Sequence, residues 1–556
     1  YGAQGSTTTA DISSEVSKNV RFSGQSIWRY HPDTRVFEIY GEGGGNTFNV
    51  EIDSKGKIFS GTNGYGRGPY YKQGGYYKKS WGKHGPLTNP YAFGYLEDMP
   101  LEGEKIRFTH SLIRYEGGAL PARFDHNFIA PNPLQGNIVL TAVENDGSSL
   151  KNKDAGMVLN TTDRWFRPID IKTGPDGNVY FTDWYDSRLS HVDARDTWHK
   201  TSGRIYRLSG AGASSPAGRL PDFTKLSPAQ LISCFYSKNK EVRFTALQEL
   251  GDRADRTVSQ TLVAHLKSDT SSIALESLWA LNLLGIMDDQ VSLTALRHRE
   301  PFVREWGVRL IGDRKKASDA EAAALKELSK KEENLSVRSQ LAASARRLQG
   351  PLCIAIVKNL AVFHDDSKDP DIPLMLWWAL EAKSETDRDA MLGLFADRSF
   401  LERPVTGQVL LERIVQRYAM AGGSENYSSC EKITGQRLPE PLQLETLAGL
   451  EEGLRGKPFE DLPAGLKSSL DRLRAVKGEP AFAAGIRQKN PDAVKKALEA
   501  IATDKTSLID RLTYIRMMGQ DDYPQSVNPL LNLLASSQAS GALKQAALAS
   551  LTRYDN

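Results

Sequence analysis

Cysteine is nearly absent: Cys234, Cys353 and Cys430 are the only three. Three scattered thiols cannot build a disulfide framework, a zinc knuckle or an iron–sulfur cluster. No CxxCH occurs, so a c-type haem has no ordinary attachment point on this chain. An excess of one charge is missing as well, since 71 Lys+Arg oppose 68 Asp+Glu for a formal net charge of +3. That balance leaves no global field to attract a phosphate backbone or an anionic membrane, which argues against nucleic acid as a partner. No apolar run approaches the roughly 20 residues needed to span a bilayer, and the opening residues lack the charged and apolar regions of a signal peptide. What is present in quantity is length. At 556 residues the chain exceeds what one hydrophobic core supports, and two or more domains are expected.

Two textures divide it. Up to about residue 210 the chain is rich in Gly, Tyr, Asn and Asp, with short alternating apolar runs between turns. In GNTFNVEIDSKGKIFSGTNG (45 to 64), Val50 and Ile52 alternate, Ser54 to Gly56 supplies a turn, and Ile58 and Phe59 begin a return strand. RPIDIKTGPDGNVYFTDWYD (167 to 186) repeats the scheme, with Ile169 and Ile171 before a GPDG turn and Val179 and Phe181 after it. With weaker units at 24 to 40 and 105 to 143, about four blades of a β-propeller can be drawn, fewer than closure normally needs. The expectation is therefore a partial ring, with earlier blades and any signal peptide upstream of Tyr1. A smaller open sandwich is the alternative.

After a linker at 210 to 225 the texture becomes Leu-, Ala- and Arg-rich. One apolar pattern recurs at Val242-Ala246-Leu247-Leu250, Ile273-Ser277-Leu278-Leu281, Val303-Gly307-Val308-Ile311, Val337-Leu341-Ala342-Ala345 and Ile372-Leu376-Trp377-Leu380. Positions i, i+4, i+5 and i+8 share one helical face, so each copy reads as the inner helix of a hairpin that stacks on its neighbours. Arg243, Arg304 and Arg338 follow the first apolar residue, as is usual in HEAT repeats. The pattern returns at 493 to 501 and 543 to 551 but is not placed between about 400 and 480. The reading is multidomain: an all-β propeller over 1–209, the linker, and an all-α solenoid of the HEAT/ARM type over 226–556, whose default role is to scaffold or dock a protein partner.

The strings GGGNTFNVEID, KHGPLTNPYAFGY, RFTH, RYEGGALP, WFRPIDIKTGPDGNVYFTDWYD and SGRIYRL together resemble the PVC-type membrane-bound dehydrogenases. The helical strings LWALNLLG, REWGVRLIGD and IPLMLWWALE are similar to that family's solenoid. In the family a propeller like that of glucose/sorbosone dehydrogenases precedes HEAT repeats and then a cytochrome c domain carrying CxxCH, which this sequence lacks. The resemblance implies a periplasmic or otherwise extracytoplasmic quinoprotein-type dehydrogenase, using pyrroloquinoline quinone (PQQ) and calcium. It would oxidise a sugar or alcohol hydroxyl and pass electrons to a cytochrome c. The rival is a non-catalytic carbohydrate- or protein-binding propeller on a HEAT scaffold.

Quinoprotein chemistry needs a base, a cation to polarise the quinone carbonyl, and calcium to hold the cofactor. His84 and His110 are the candidate bases, Arg67, Arg123 and Arg167 the candidate cations, and Asp183 and Asp186 the candidate calcium ligands. Trp184 and Tyr185 lie between those carboxylates, and Trp81 and Tyr77 belong to an aromatic, Gly-rich excursion from 61 to 95 that is expected to cover one mouth of the channel and hold a sugar or planar cofactor. Structural alternatives stand beside each reading. Either His can be a satisfied donor, Asp183 can cap a turn with Trp184 packed between blades, Arg167 can form a surface ion pair, and the rings of 61 to 95 can be a substitute core. Trp279, Trp306, Trp377 and Trp378 read as solenoid core.

Overall fold

Rather than long helices, apolar runs cut by Gly and Asp turns form strands. The computed structural model, which describes residues 6–11, 16–22, 25–31, 34–45, 49–62, 66–79, 86–106, 111–187, 195, 198–211, 221–477, 480, 482–487 and 489–554, contains sixteen of them in four sheets. Strands β1 (Ser6–Asp11), β2 (Val16–Phe22), β3 (Ser26–His31) and β4 (Val36–Gly44) are ordered β2-β1-β4-β3. Strands β5 (Glu51–Ile52), β6 (Ile58–Phe59) and β7 (Tyr70–Tyr71) form a small antiparallel sheet, and β8 (Gly75–Lys79) joins β4 in parallel. Strands β9 (Leu101–Glu102), β10 (Ile113–Arg114), β11 (Phe128–Asn132), β12 (Asn137–Asp146) and β13 (Ser149–Asn160) are ordered β10-β11-β12-β13-β9. Last come β14 (Pro168–Thr173), β15 (Val179–Asp183) and β16 (Arg204–Leu208), in sequence order. No sheet closes on itself among the described residues.

Both hairpins anticipated from alternation are present. Ile52 pairs with Ile58 across the Ser54–Gly56 turn, and Thr173 pairs with Val179 across the GPDG turn. Phe59, Tyr70, Leu112 and Phe128 join the β5–β7 sheet to the β9–β13 sheet, while Ile113, Phe124, Ile171 and Phe181 join the latter to β14–β16.

The excursion from 61 to 95 differs from its expected form. Its described part makes β7 and β8, and Tyr70, Tyr71, Tyr76 and Tyr77 are buried. Phe93 stacks on Trp377 at 5.8 Å and Tyr76 meets Trp378 edge-on at 5.0 Å. These rings are thus core between sheet and helix rather than a covering over a channel, because short strands flanked by glycine leave large side chains as the main filling.

From Pro228 onward the described residues form helices, twenty-one of them α-helical, and all five repeat starts fall in helices: Lys240–Arg253, Ser272–Leu283, Pro301–Asp313, Leu335–Ala345 and Ile372–Glu381. The segment that resisted assignment is helical too, with Leu411–Ala421, Ser424–Thr434, Glu440–Gly453 and Ala464–Val476. The recurrent arginine has one job in all three copies. Arg243 donates to the Ser237 and Lys238 carbonyls and to Glu276, Arg304 to those of His298 and Arg299 and to Glu332, and Arg338 to those of Glu332 and Glu333 and to Asp366. Each guanidinium therefore closes the loop before its own helix and reaches an acid about one repeat later.

Strand gives way to helix between Leu208 and Phe223. By internal contacts the chain forms two compact units, Tyr1–Met391 and Leu392–Asn556. The first therefore holds all the described sheets together with the first run of helices, and polar contacts cross between them. Lys240 Nζ donates to Glu51 Oε1 and the Ile52 carbonyl, both at 2.6 Å. Arg29 pairs with Asp313 at 2.6 Å, Arg347 pairs with Glu38, and the Trp378 indole donates to the Ala92 carbonyl at 2.9 Å. No described helix is long and apolar enough to cross a membrane.

Arg338 and Asp366 are both buried, so Arg338→Met is expected to cost about 3 to 5 kcal/mol in urea unfolding by leaving a buried carboxylate unpaired. The double variant Arg338→Met/Asp366→Leu should recover part of that loss. A pH effect follows from Glu116. Burial alone would raise its carboxyl, but hydrogen bonds from His126 and Ser54 and the charge of Lys240 outweigh burial and hold it at about 2. A depressed carboxyl adds stability above its unfolded range that is lost as the pH falls. The stability gap between wild type and Glu116→Gln at pH 6 should therefore shrink between about pH 4.3 and pH 2 in urea midpoints.

Candidate functional site

The GPDG turn starts the β14–β15 hairpin. Gly177, at φ +79°, closes it by donating to the Gly174 carbonyl at 2.9 Å, and Asp176 is bonded by Asn178 and Tyr180. This fixes the β14–β15 register as far as Ile171 and Phe181; a bulge before Ile171 then brings Pro168 opposite Asp183, and β15–β16 pairing places Arg204 opposite the same aspartate. Arg167, Asp183, Trp184, Tyr185, Asp186 and Arg204 are thereby gathered at one end of one sheet.

Asp183 is buried, and its Oδ1 accepts the backbone N–H of Arg167 at 2.7 Å and of Tyr185 at 2.9 Å. It is the turn cap of the structural alternative. Its other oxygen, Oδ2, is buried and has no partner among the described residues, and neither has Nε of Arg167. The Arg167 Nη1 donates to the Phe166 carbonyl at 2.9 Å. Asp186, also buried, accepts the His199 backbone N–H at 2.7 Å. Tyr185 sits at φ +48°, an uncommon conformation for a residue with a side chain, and the Asp183 cap holds it there. Its ring lies under the Arg204 guanidinium at 3.4 Å and 5.7 Å from Trp165, which meets His199 edge-on at 4.5 Å. Trp184 is not packed between sheets: it is 48% exposed, edge-on to Trp198 at 5.7 Å.

The other expected residues lie elsewhere. Arg67 is fully buried, bonded to Thr141 at 3.1 Å and paired with Asp154, whose second oxygen accepts the Ile106 N–H at 2.7 Å. It serves as an internal tie on the β9–β13 sheet. Tyr77 donates its hydroxyl to the Tyr70 carbonyl at 2.9 Å, accepts the Lys72 N–H at 2.6 Å and packs on Tyr71 at 4.7 Å, all inside the core. Arg123 is exposed and stacks on its neighbour Phe124 at 4.8 Å. Trp81, His84 and His110 lie outside the described residues.

A calcium ion at Asp183 and Asp186 would have to draw on the oxygen donors present there. It needs six to eight oxygens, whereas one of these carboxylates is half spent on two amides and the other accepts a third. Among the described residues no group of three or more His, Cys, Asp or Glu side chains could hold a metal ion. The pair does not by itself fit calcium.

The sheet region carries a recognisable sequence unit. Residues 1–211 match the model of a domain of unknown function, DUF7133. Among curated proteins none matches the chain. The matched DUF7133 region ends three residues past β16, so all sixteen strands fall within it and the described α-helices fall outside. The aromatic partners Trp165, Trp198 and His199 and the stacking Arg204 complete the cluster. Of these, Arg204 had a signal in the sequence, because a third strand after a Gly-turn hairpin must set some residue opposite Asp183.

Asp183→Ala should lower the unfolding free energy measured in urea by about 1 to 2 kcal/mol through loss of the turn cap. Tyr77→Phe should destabilise by about 1 to 3 kcal/mol by stranding a buried amide, without changing any ligand affinity. Binding lost in Tyr77→Phe at unchanged stability would restore that tyrosine to a site.

Proposed function

We propose that the DUF7133 region, carried on its helical scaffold, is an extracytoplasmic binding module that takes a carbohydrate on the aromatic patch at the ends of β15 and β16. One observation carries the reading: Trp184 is 48% exposed beside Trp198, next to a Tyr185 ring covered by Arg204, while the carboxylates beneath are engaged by backbone amides. Rings held at a surface offer apolar faces to sugar C–H groups and lose little entropy on binding. A guanidinium beside them supplies donors to hydroxyl oxygens. In this reading the four sheets are blades of a propeller, the HEAT-type helices dock a protein partner, and the extracytoplasmic setting rests on the resemblance of the sequence strings to the PVC-type dehydrogenases. Titration with a sugar panel should find a saturable ligand whose affinity falls about tenfold or more in Trp184→Ala with melting unchanged, since a stacked ring contributes about 1.4 kcal/mol or more. Binding that is indifferent to Trp184 would remove the proposal.

A second reading, the quinoprotein-type dehydrogenase, is favoured by a different observation. Asp183 Oδ2 and Arg167 Nε are both buried and unpartnered among the described residues, at residues bonded to each other. Under it the chain would work with PQQ, calcium and a cytochrome c domain or protein to oxidise a sugar or alcohol hydroxyl. Purified protein given PQQ and calcium should then reduce an artificial dye with at least one sugar. PQQ binding with no reduction across the panel would exclude it.

A further inference from the structure

An apolar cavity of about 410 Å³ lies where the β5–β6 hairpin meets the helices Lys240–Arg253, Ser272–Leu283 and Pro301–Asp313. Its size is that of a small-molecule site. Ile52, Phe244, Trp279, Leu283 and Trp306 form much of the wall, and Arg309 is the one charged side chain among the described residues lining it. The rings are set edge to face, Phe244 on Trp279 at 6.0 Å and Trp279 on Trp306 at 5.0 Å. The wall is also held in place. Trp306 donates its indole N–H to the Lys55 carbonyl at 2.7 Å, and Gly56, at φ +72°, lies so near that ring that a Cβ there would come within 2.3 Å of it. A pre-formed aromatic wall spares a ligand the cost of ordering its site.

Arg309 supplies the chemistry. It is 9% exposed, with its guanidinium 4.1 Å over the Trp306 ring and 5.1 Å over that of Tyr40. Among the described residues it has no ion pair and no hydrogen bond, and its Nε is buried without an acceptor. Asp313, one turn on, feels the charge of Arg309 but makes no ion pair with it among the described residues, being bonded by Arg29 and Gln73 and lying 3.8 Å from Arg347. Ring faces offset part of the desolvation of a guanidinium but offer its N–H groups no oxygen. A buried cation without an acceptor is costly and gains most from an anion brought into the same low-dielectric space. The Trp279 indole N–H is likewise buried without an acceptor.

We propose that this cavity binds a small apolar carboxylate, its flat body against Phe244, Trp279 and Trp306 and its carboxylate on Arg309. The site is separate from the β14–β16 patch and does not depend on the function proposed for it. A matched pair of probes tests the idea on the full chain: anilinonaphthalene sulfonate, whose sulfonate stands in for the carboxylate, and N-phenyl-1-naphthylamine, which has the same rings and no charge. The anion should bind saturably, quench tryptophan emission, and bind about tenfold or more tighter than the neutral probe, the low end for a hydrogen bond to a charged group. Arg309→Met should bring the two affinities together. Leu283→Glu changes a wall residue that is 50% exposed, so it tests the site even if Arg309→Met does not fold. It should weaken the anion by a similar factor with melting unchanged. Equal affinity for the two probes in the wild type, or anion binding unaltered by Leu283→Glu, would overturn the proposal.

Discussion

Lys240 is the point on which the first compact unit depends. It opens the first long helix, its backbone N–H donates to the Glu116 carbonyl at 2.9 Å, and its ammonium reaches Glu51 and the Ile52 carbonyl. Burial lowers the affinity of this amine for its proton, but the nearby Glu51, Glu241 and Glu116 charges outweigh burial and raise it. One residue thereby fastens the β5–β6 hairpin and the Glu116 segment to the start of the helical run. Without such a tie, strands of two residues would have little reason to persist, because a hairpin that short is marginal on its own in water.

The same economy explains why so many charged groups in this unit are unavailable for chemistry. Arg67, Glu38, Asp313, Glu51 and Lys240 are all engaged in pairs that hold sheet to sheet or sheet to helix. A buried charge is tolerated only with its partner close and its remaining hydrogen bonds filled, so each of these pairs specifies a docking geometry. Buried atoms left without a hydrogen-bond partner are then informative by contrast, and Nε of Arg309, Nε of Arg167 and Oδ2 of Asp183 are among them in the described residues.

The arginine ladder gives the helical region its regularity. A guanidinium has donors in more than one direction, so one side chain can close the preceding loop and still reach an acid of the following repeat, as Arg243, Arg304 and Arg338 do. The repeat starting at Ile273 has Ala274 in that place and contributes the acceptor Glu276 instead.

The sequence by itself determined what depends on local periodicity. The hairpins at Ser54–Gly56 and at GPDG follow from alternation and turn residues, the five repeat helices follow from the spacing of their apolar faces, and the ladder arginines follow from their fixed place after the first apolar residue. The placing of Arg167 beside Asp183 was not legible in the same way, since the hairpin fixes the register only as far as Ile171 and a bulge then shifts it by one residue. Tertiary structure alone decided that Tyr77 is core, that Arg67 is an internal tie to Asp154, and that Trp306 lines a cavity beside an unpaired Arg309. Those outcomes depend on contacts between residues tens to hundreds of positions apart, such as Trp306 with Lys55 or Trp378 with Ala92. A tyrosine or an arginine has the same propensity whether it faces solvent or a distant helix, so its role is set by what folding brings against it.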